Sequence, residues 1–324
     1  MIAYHILCHD NMAQVARQVE ALYSPEDVFL VDINDAKPLN TRPLKKWLKK
    51  DNVHVNFDSN LGWGGAGIIR KTLKGAFSLL DLDSQWNYYV LLSGQCLPIK
   101  SNEKIKEKFA ALNETRTNCI RGLPHDAVNI DELPVLNKYD EPRPWGDRGH
   151  TKLFALPGTV DPQCKMGARW RAEIVEVAHE ETVYVRPCND LLMRRREDFF
   201  SEYQFCAGAN WVNLHRSLLE HMRDDRFTYE LYEVLSTTLI PDESFFQTYV
   251  YNSPFKDTVC KDHLRLIARP SPNLAVRAFN IDDWEQIASS DALFARKFNS
   301  TADSKIIDKV LSERLMSQQI KLSA

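Results

Sequence analysis

The sequence predicts an α/β chain built on a mainly parallel sheet with helices on both faces. Three observations carry that expectation. In the first third, short apolar runs alternate with amphipathic stretches. The runs Val28-Phe29-Leu30-Val31 and Tyr88-Tyr89-Val90-Leu91-Leu92 are continuously apolar, as in strands buried on both sides. Their order, strand then helix then strand, is that of parallel strands joined by crossover helices.

Taken in order, residues 2–8 read as a strand, 12–22 as an amphipathic helix and 28–33 as a second strand, with the turn Ser24-Pro25-Glu26-Asp27 between. Residues 44–50 read as a short helix, 53–55 as a short strand, 66–82 as a longer helix and 88–92 as a strand leading into Ser93-Gly94-Gln95-Cys96-Leu97-Pro98. In such a sheet the ligand site lies beyond the carboxyl ends of the strands, where Asp32 and Ser93-Gly94-Gln95 fall. Trp63-Gly64-Gly65-Ala66-Gly67 opens the long helix, and glycines there let backbone approach a ligand or make a tight turn. The stretch matches neither G-x-x-x-x-G-K-[ST] nor G-x-G-x-x-G.

From about residue 122 to 190 the pattern loosens, with prolines at 124, 134, 142, 144, 157, 162 and 187, and a long insertion of short helices and irregular loops is expected. Arg194-Arg195-Arg196 reads as an exposed helix face in preference to a phosphate site. Regular patterning returns at 206–214, followed by helices near 215–222 and 228–235, a strand at 263–267 and a helix at 281–287. Residues 292–298 place two adjacent cations, Arg296 and Lys297, among apolar residues, and cations so placed need partners. A terminal packing helix is expected at 303–315.

In the stretch Pro241-Asp242-Glu243-Ser244-Phe245-Phe246, Pro241 disfavours a helix running through, and Asp242 or Ser244 can cap a new one. Phe245, Phe246, Tyr249 and Val250 then supply an apolar helical face. A carboxylate at Glu243 would feel the helix N-terminus, which favours the anion, and apolar surroundings, which favour the acid. That setting suits a general base. Local pattern alone favours a structural helix start.

With 324 residues and 44% hydrophobic content the chain can bury a substantial core. Lys+Arg of 41 against Asp+Glu of 44 leaves a net charge of −3, so no global basic field favours nucleic acid, and an anionic ligand must be met by local charges. Seven scattered cysteines form no C-x-x-C pair and no zinc-like spacing, and read as reduced thiols. The opening residues lack a basic n-region and no apolar run is long enough for a bilayer, so a cytoplasmic location is expected. Lys45, Lys46, Lys49 and Lys50 suit a solvated helix face, or peripheral contact with anionic lipid or glycan.

Four stretches in order, Val90-Leu91-Leu92-Ser93-Gly94-Gln95-Cys96-Leu97-Pro98-Ile99-Lys100, Gly208-Ala209-Asn210-Trp211, Pro241-Asp242-Glu243-Ser244-Phe245-Phe246 and Leu293-Phe294-Ala295-Arg296-Lys297-Phe298, resemble the core 2/I-branching N-acetylglucosaminyltransferases and the peptide O-xylosyltransferases grouped with them. Trp63-Gly64-Gly65 adds to the likeness on the xylosyltransferase side. The resemblance implies a GT-A type, Rossmann-like fold and inverting transfer of a sugar, N-acetylglucosamine or xylose, from a UDP-sugar to a hydroxyl without an obligatory metal or other cofactor. It implies one domain over 1–324, with a nucleotide-binding half (1–122), an insertion (123–200) and an acceptor, catalytic and diphosphate-binding half (201–324).

By the same resemblance Glu243 matches the catalytic base, and Arg265, Arg296 and Lys297 match positions that hold the donor diphosphate. Asp32 matches a uracil-binding acid, with Cys8, His9, Trp63 and Gly64 at the nucleotide pocket, and Asn210 and Trp211 match a place facing the acceptor. Fixed cations can neutralise a leaving diphosphate by preorganised electrostatics, and guanidinium groups suit phosphate oxygens. The literal Asp81-Leu82-Asp83 precedes the strand at 88–92, at the wrong end of the sheet for a donor metal. Two departures bear on specificity: Cys96 stands where the family commonly has an acid, and Asn210 where the xylosyltransferases have Asp. The second favours a glycan acceptor over peptide serine, and a lipid-linked oligosaccharide acceptor fits the expected cytoplasmic location. The alternatives are a nucleotide-sugar-binding protein without catalysis, a peptide O-xylosyltransferase-like enzyme and, from another class, a phosphohydrolase using Asp81 and Asp83.

Overall fold

Strand β1 (Ile2–Cys8) lies at the centre of the parallel half of the sheet, with β2 (Val28–Ile33) in register on one side. The computed structural model describes residues 1–34, 38–57, 66–82, 85–124, 154–156, 170–177, 180–187, 199–236, 241–268 and 276–322. β3 (Val53–Phe57) extends the sheet beyond β2, and β4 (Tyr88–Ser93) pairs with the other edge of β1. β6 (Asn118–Pro124), β10 (Cys206–His215) and β11 (Val259–Cys260) complete the order β11-β6-β10-β4-β1-β2-β3. Only β10 runs against the others in this sheet. The class is the α/β, mainly parallel one that the apolar runs predict.

Alternation along β4 explains the two covered faces, because successive side chains point to opposite sides. Tyr89 and Leu91 pack with Ile69, Leu73, Ala76 and Leu79 of α2 (Gly67–Leu80). The same layer holds Leu218 and Leu219 of α4 (Arg216–Asp224), Leu231 and Leu235 of α5 (Arg226–Leu235), and Phe245 and Phe246 of α6 (Phe245–Tyr251). Val90 and Leu92 face Val15 and Val19 of α1 (Met12–Leu22) and Ile105 and Phe109 of α3 (Asn102–Glu114). Each such side chain, fully buried, contributes roughly 1.5–3 kcal/mol before entropy is counted.

A smaller sheet stands beyond the end of β4. In it β13 (Phe294–Arg296) runs parallel to β12 (Arg265–Ile267) and antiparallel to β5 (Leu97–Pro98). Its own core joins Leu97, Ala295 and Phe298 to Ile287 of α7 (Trp284–Ser289) and to Ile306, Ile307 and Val310 of α8 (Ser304–Leu322). The short loop Ser93-Gly94-Gln95-Cys96 links the two sheets, so the ends of β1 and β4 lie beside β13.

Several expectations need correction. Residues 44–50 form two separate 3-10 turns, Arg42–Leu44 and Trp47–Lys49, because only Leu44 and Trp47 are buried and a three-residue spacing suits the tighter winding. All four lysines there are exposed; Lys46 pairs with Glu20 at 2.9 Å and lies over the Trp47 ring. The region expected to be irregular contains an antiparallel sheet of β7 (Phe154–Leu156), β8 (Trp170–Val177) and β9 (Glu180–Pro187). Period-two patterning in Trp-Arg-Ala-Glu-Ile outweighs the surrounding prolines. Helix α3 and strand β6 were not anticipated, since α3 buries only Ile105 and Phe109 and β6 carries Asn118, Gly122 and Pro124. Arg194-Arg195-Arg196 lies outside the described residues. Among the described residues no helix is long and apolar enough to cross a membrane.

Candidate active site

The carboxyl ends of β1 and β4 and the short strand β13 converge, and one glutamine ties them together. Gln14 donates from Nε2 to the carbonyl oxygens of Gly94 and Phe298, both at 3.0 Å, and accepts the Ser300 N–H at 2.9 Å. The Phe298 N–H donates to the Gln95 carbonyl at 2.9 Å, and the Lys297 carbonyl accepts from Phe279 at 2.8 Å. The backbone around Arg296 and Lys297 is therefore held on both sides.

Arg265 is 5% exposed, and burial pushes its guanidinium down to about 10. Its Nη1 donates to Asn213 Oδ1 at 3.1 Å and to the His263 carbonyl, and its Nη2 to the Leu91 carbonyl at 2.5 Å. Burial likewise lowers Arg296, opposed by Cys96 and by the negative field of Glu243. Its guanidinium sits 4.1 Å from the centre of the Trp211 ring, while that of Arg265 lies 6.0 Å from the same ring. Among the described residues neither arginine is ion-paired with a carboxylate within 4.0 Å, and the Nε of each lacks a hydrogen-bond partner. Two largely desolvated positive charges so placed make a seat for a polyanion.

Trp211 reaches Arg296 because β10 is irregular there. Gly208 pairs with Gly122 and Val212 with Ile120, so residues 209–211 bulge from the ladder. A Cβ at Gly208 would overlap the Arg121 carbonyl oxygen and lie 2.5 Å from Gly122 Cα, so only glycine lets β6 approach so closely. Gln247 fixes the bulge by donating to the Ala209 carbonyl at 2.7 Å. Asn210 Oδ1 is buried and has no hydrogen-bond partner among the described residues.

The same helix places Glu243. Pro241–Glu243 form a 3-10 turn, followed by α6, which is fastened to β10 through Thr248: its Oγ1 donates to the Cys206 carbonyl at 3.0 Å and accepts the Cys206 N–H at 3.1 Å. Neither expected cap forms, since the Ser244 side chain makes no capping bond and Asp242 is buried within the turn. Asp242 is 6% exposed, and burial followed by the charge of Glu243 pushes its carboxyl up to about 7. Glu243 itself is half-buried, within electrostatic reach of Arg296. A carboxylate there can take a proton from a nucleophile that approaches the cationic pocket.

At the β1 and β2 ends, Cys8 is buried, its thiol pushed up to about 12 by desolvation, while His9 is exposed beside Asp10. Asp32 is 3% exposed and has internal partners. His5 Nε2 lies 2.8 Å from Asp32 Oδ2, Lys71 Nζ 3.7 Å from Oδ1, and His5 Nδ1 2.7 Å from the Tyr89 hydroxyl. A ring donating from Nε2 and accepting at Nδ1 fits this chain of contacts. A Cβ at Gly75 would overlap the His5 ring, so α2 crosses at this glycine. Trp63 and Gly64 lie outside the described residues, as does Asp83; Asp81 is exposed, pairs with Arg223 at 3.2 Å and precedes β4. Among the described residues no group of three or more His, Cys, Asp or Glu side chains is placed to hold a metal ion.

The structure thus brings together Arg265, Arg296, Trp211 and Glu243, with Cys8 and Asp32 on neighbouring strands. Gln14, Asn213 and Gln247 organise them but carry no motif, and only their convergence in space reveals them.

The family model of the Core-2/I-Branching enzyme matches residues 2–123 and 156–282. Xylosyltransferase 2 of Canis lupus familiaris is 23% identical over 332 residues, covering 95% of this chain and 33% of that protein. Xylosyltransferase 1 of Rattus norvegicus is 23% identical over 334 residues, covering 95% and 35%. The chain spans about a third of the length of these relatives. Among solved structures, mouse xyloside xylosyltransferase 1 in its apo form aligns with 91% of this chain and 97% of its own at 10% identity, with a TM-score of 0.34. With these two matched stretches covering most of its length, the chain belongs to the Core-2/I-branching enzyme family.

Proposed function

We propose that the chain transfers a sugar from a UDP-sugar to a hydroxyl of a glycan acceptor, with inversion at the anomeric carbon and Glu243 as general base. The observation that supports this most is a buried guanidinium, Arg265, and a half-buried one, Arg296, neither ion-paired with a carboxylate among the described residues, beside a half-buried acid at the strand ends. A diphosphate would offset the charge of both arginines. As the acceptor oxygen attacks C1, its proton passes to the Glu243 carboxylate, and the C1–O bond to the diphosphate breaks with its electron pair on the leaving phosphate oxygen.

Arg265 spends its terminal nitrogens on Asn213 and two carbonyls, and so contributes charge. Arg296, braced on Trp211, is better placed to bond phosphate oxygens directly, with Lys297 next to it. In this reading fixed cations serve where other sugar-nucleotide enzymes use a metal. Asn210 Oδ1 suits an acceptor hydroxyl. Xylose and N-acetylglucosamine are the donor sugars the family favours; a cytoplasmic site with peripheral membrane contact and a glycan or lipid-linked acceptor complete the proposal.

The test is a panel of UDP-sugars assayed for release of UDP by hydrolysis, with and without EDTA. The expected result is release from UDP-xylose or UDP-N-acetylglucosamine, unchanged by chelator. Activity lost in EDTA and restored by a divalent ion would remove the metal-free part. UDP raising the melting temperature with no turnover of any donor would leave a nucleotide-sugar-binding protein.

A further inference from the structure

The geometry points to Cys119 and Cys260 as a reversible thiol–disulfide pair, closed by a peroxide-class oxidant, whose closure weakens the donor site; the last clause rests on the function proposed above. The two residues are 141 positions apart in sequence, yet face each other directly where β6 and β11 pair, with their sulfurs 3.4 Å apart. Cys260 is half-buried and Cys119 fully buried. Among the described residues no other two cysteines lie within bonding distance of one another.

The asymmetry assigns the roles. Cys260 meets a small oxidant first. The hydrogen bond between the sulfurs lowers the Cys260 thiol below its ordinary range and raises that of Cys119, so Cys260 holds more of the reactive thiolate. Its thiolate attacks one oxygen of hydrogen peroxide, breaking the O–O bond to give a sulfenic acid and hydroxide, which takes up the thiol proton as water. The Cys119 sulfur then attacks that sulfur, water leaves with the Cys119 proton, and one disulfide replaces two thiols.

Closure must move something. A disulfide needs its sulfurs about 2.0 Å apart, so they must approach by about 1.4 Å. Strand β11 is two residues long and lies at the edge of the sheet, so Cys260 is the side that yields.

Both thiols are coupled to Arg265. Cys119 pairs on its other side with Asn213 of β10, whose Oδ1 accepts from Arg265 and whose Nδ2 donates to the His263 carbonyl at 3.1 Å. Cys260 leads in five residues to Arg265, through the His263 carbonyl that binds the guanidinium and through Leu264, held left-handed at φ 58°. A non-glycine residue in that region is strained and has little room to adjust. Displacement of Cys260 therefore passes to the carbonyl and the backbone that aim Arg265.

The experiment treats the intact protein with hydrogen peroxide, maps all seven cysteines under non-reducing conditions and measures UDP binding by calorimetry. The expected product is a Cys119–Cys260 bridge, two hydrogens lighter, that dithiothreitol reverses and Cys260→Ser abolishes. UDP binding is expected to weaken several-fold in the bridged protein, to recover on reduction, and to be insensitive to peroxide in Cys260→Ser. A bridge between other cysteines, oxidation of Cys260 without a bridge, or a bridged protein that binds UDP as tightly as the reduced one would overturn the proposal. A protein that forms this bridge but binds no sugar nucleotide in either state would count against the proposed function and leave the thiol pair established.

Discussion

Replacing Glu243 with glutamine is expected to lower sugar transfer by about 10²- to 10⁴-fold while UDP binding is retained. Glutamine keeps the size and shape of the side chain, so the 3-10 turn at Pro241–Glu243 and the packing of Phe245 and Phe246 survive. What it removes is the ability to accept a proton. The neighbouring Asp242, pushed up to about 7, is mainly protonated below neutral pH. A helix-start role for Glu243 predicts a different result: a lower melting temperature, weaker UDP binding and normal turnover in the molecules that remain folded. Measuring transfer, melting and UDP affinity on one preparation separates the two.

Replacing Arg296 with glutamine is expected to lower turnover by about 10²- to 10³-fold, the range seen when one preorganised donor is taken from a developing negative charge. It should also weaken the donor complex, because charge-assisted bonds to phosphate are lost in the ground state as well. Arg296→Lys should recover only part of the rate, since an ammonium group cannot reproduce a planar guanidinium braced 4.1 Å from the Trp211 ring centre. Arg265 is the poorer probe of chemistry. Its loss would strand Asn213 Oδ1 and the carbonyls of His263 and Leu91, and a buried group left unpaired costs about 1–3 kcal/mol. Determination of kcat and KM for the donor in the Arg296 variants checks the prediction.

Much of this was legible in the sequence where a local signal decided the outcome. The run Val28-Phe29-Leu30-Val31 and the spacing of Val15, Val19 and Leu22 have one physical solution each, and β2 and α1 fall at their expected limits. Pro241 correctly marked a break before α6. The amides that aim the site were not legible. Gln247 reads as one more helix residue until β10 bulges beneath it, and Gln14 until the β4 loop and the chain after β13 arrive at its side chain. Asp32 stands out as a polar strand end, but its partners His5 and Lys71, and Tyr89 on the far side of His5, come from three other elements, each within an apolar pattern. Cys119 and Cys260 looked scattered because parallel pairing joins residues of any sequence separation.

Single displacement by a lone base has a stereochemical signature that follows from the geometry proposed for Glu243. Proton NMR of the sugar released when the protein hydrolyses an α-linked UDP-sugar, recorded before mutarotation, reads it directly. The account predicts that the β anomer appears first and that Glu243→Gln suppresses it. First appearance of the α anomer would contradict a single displacement with Glu243 as general base.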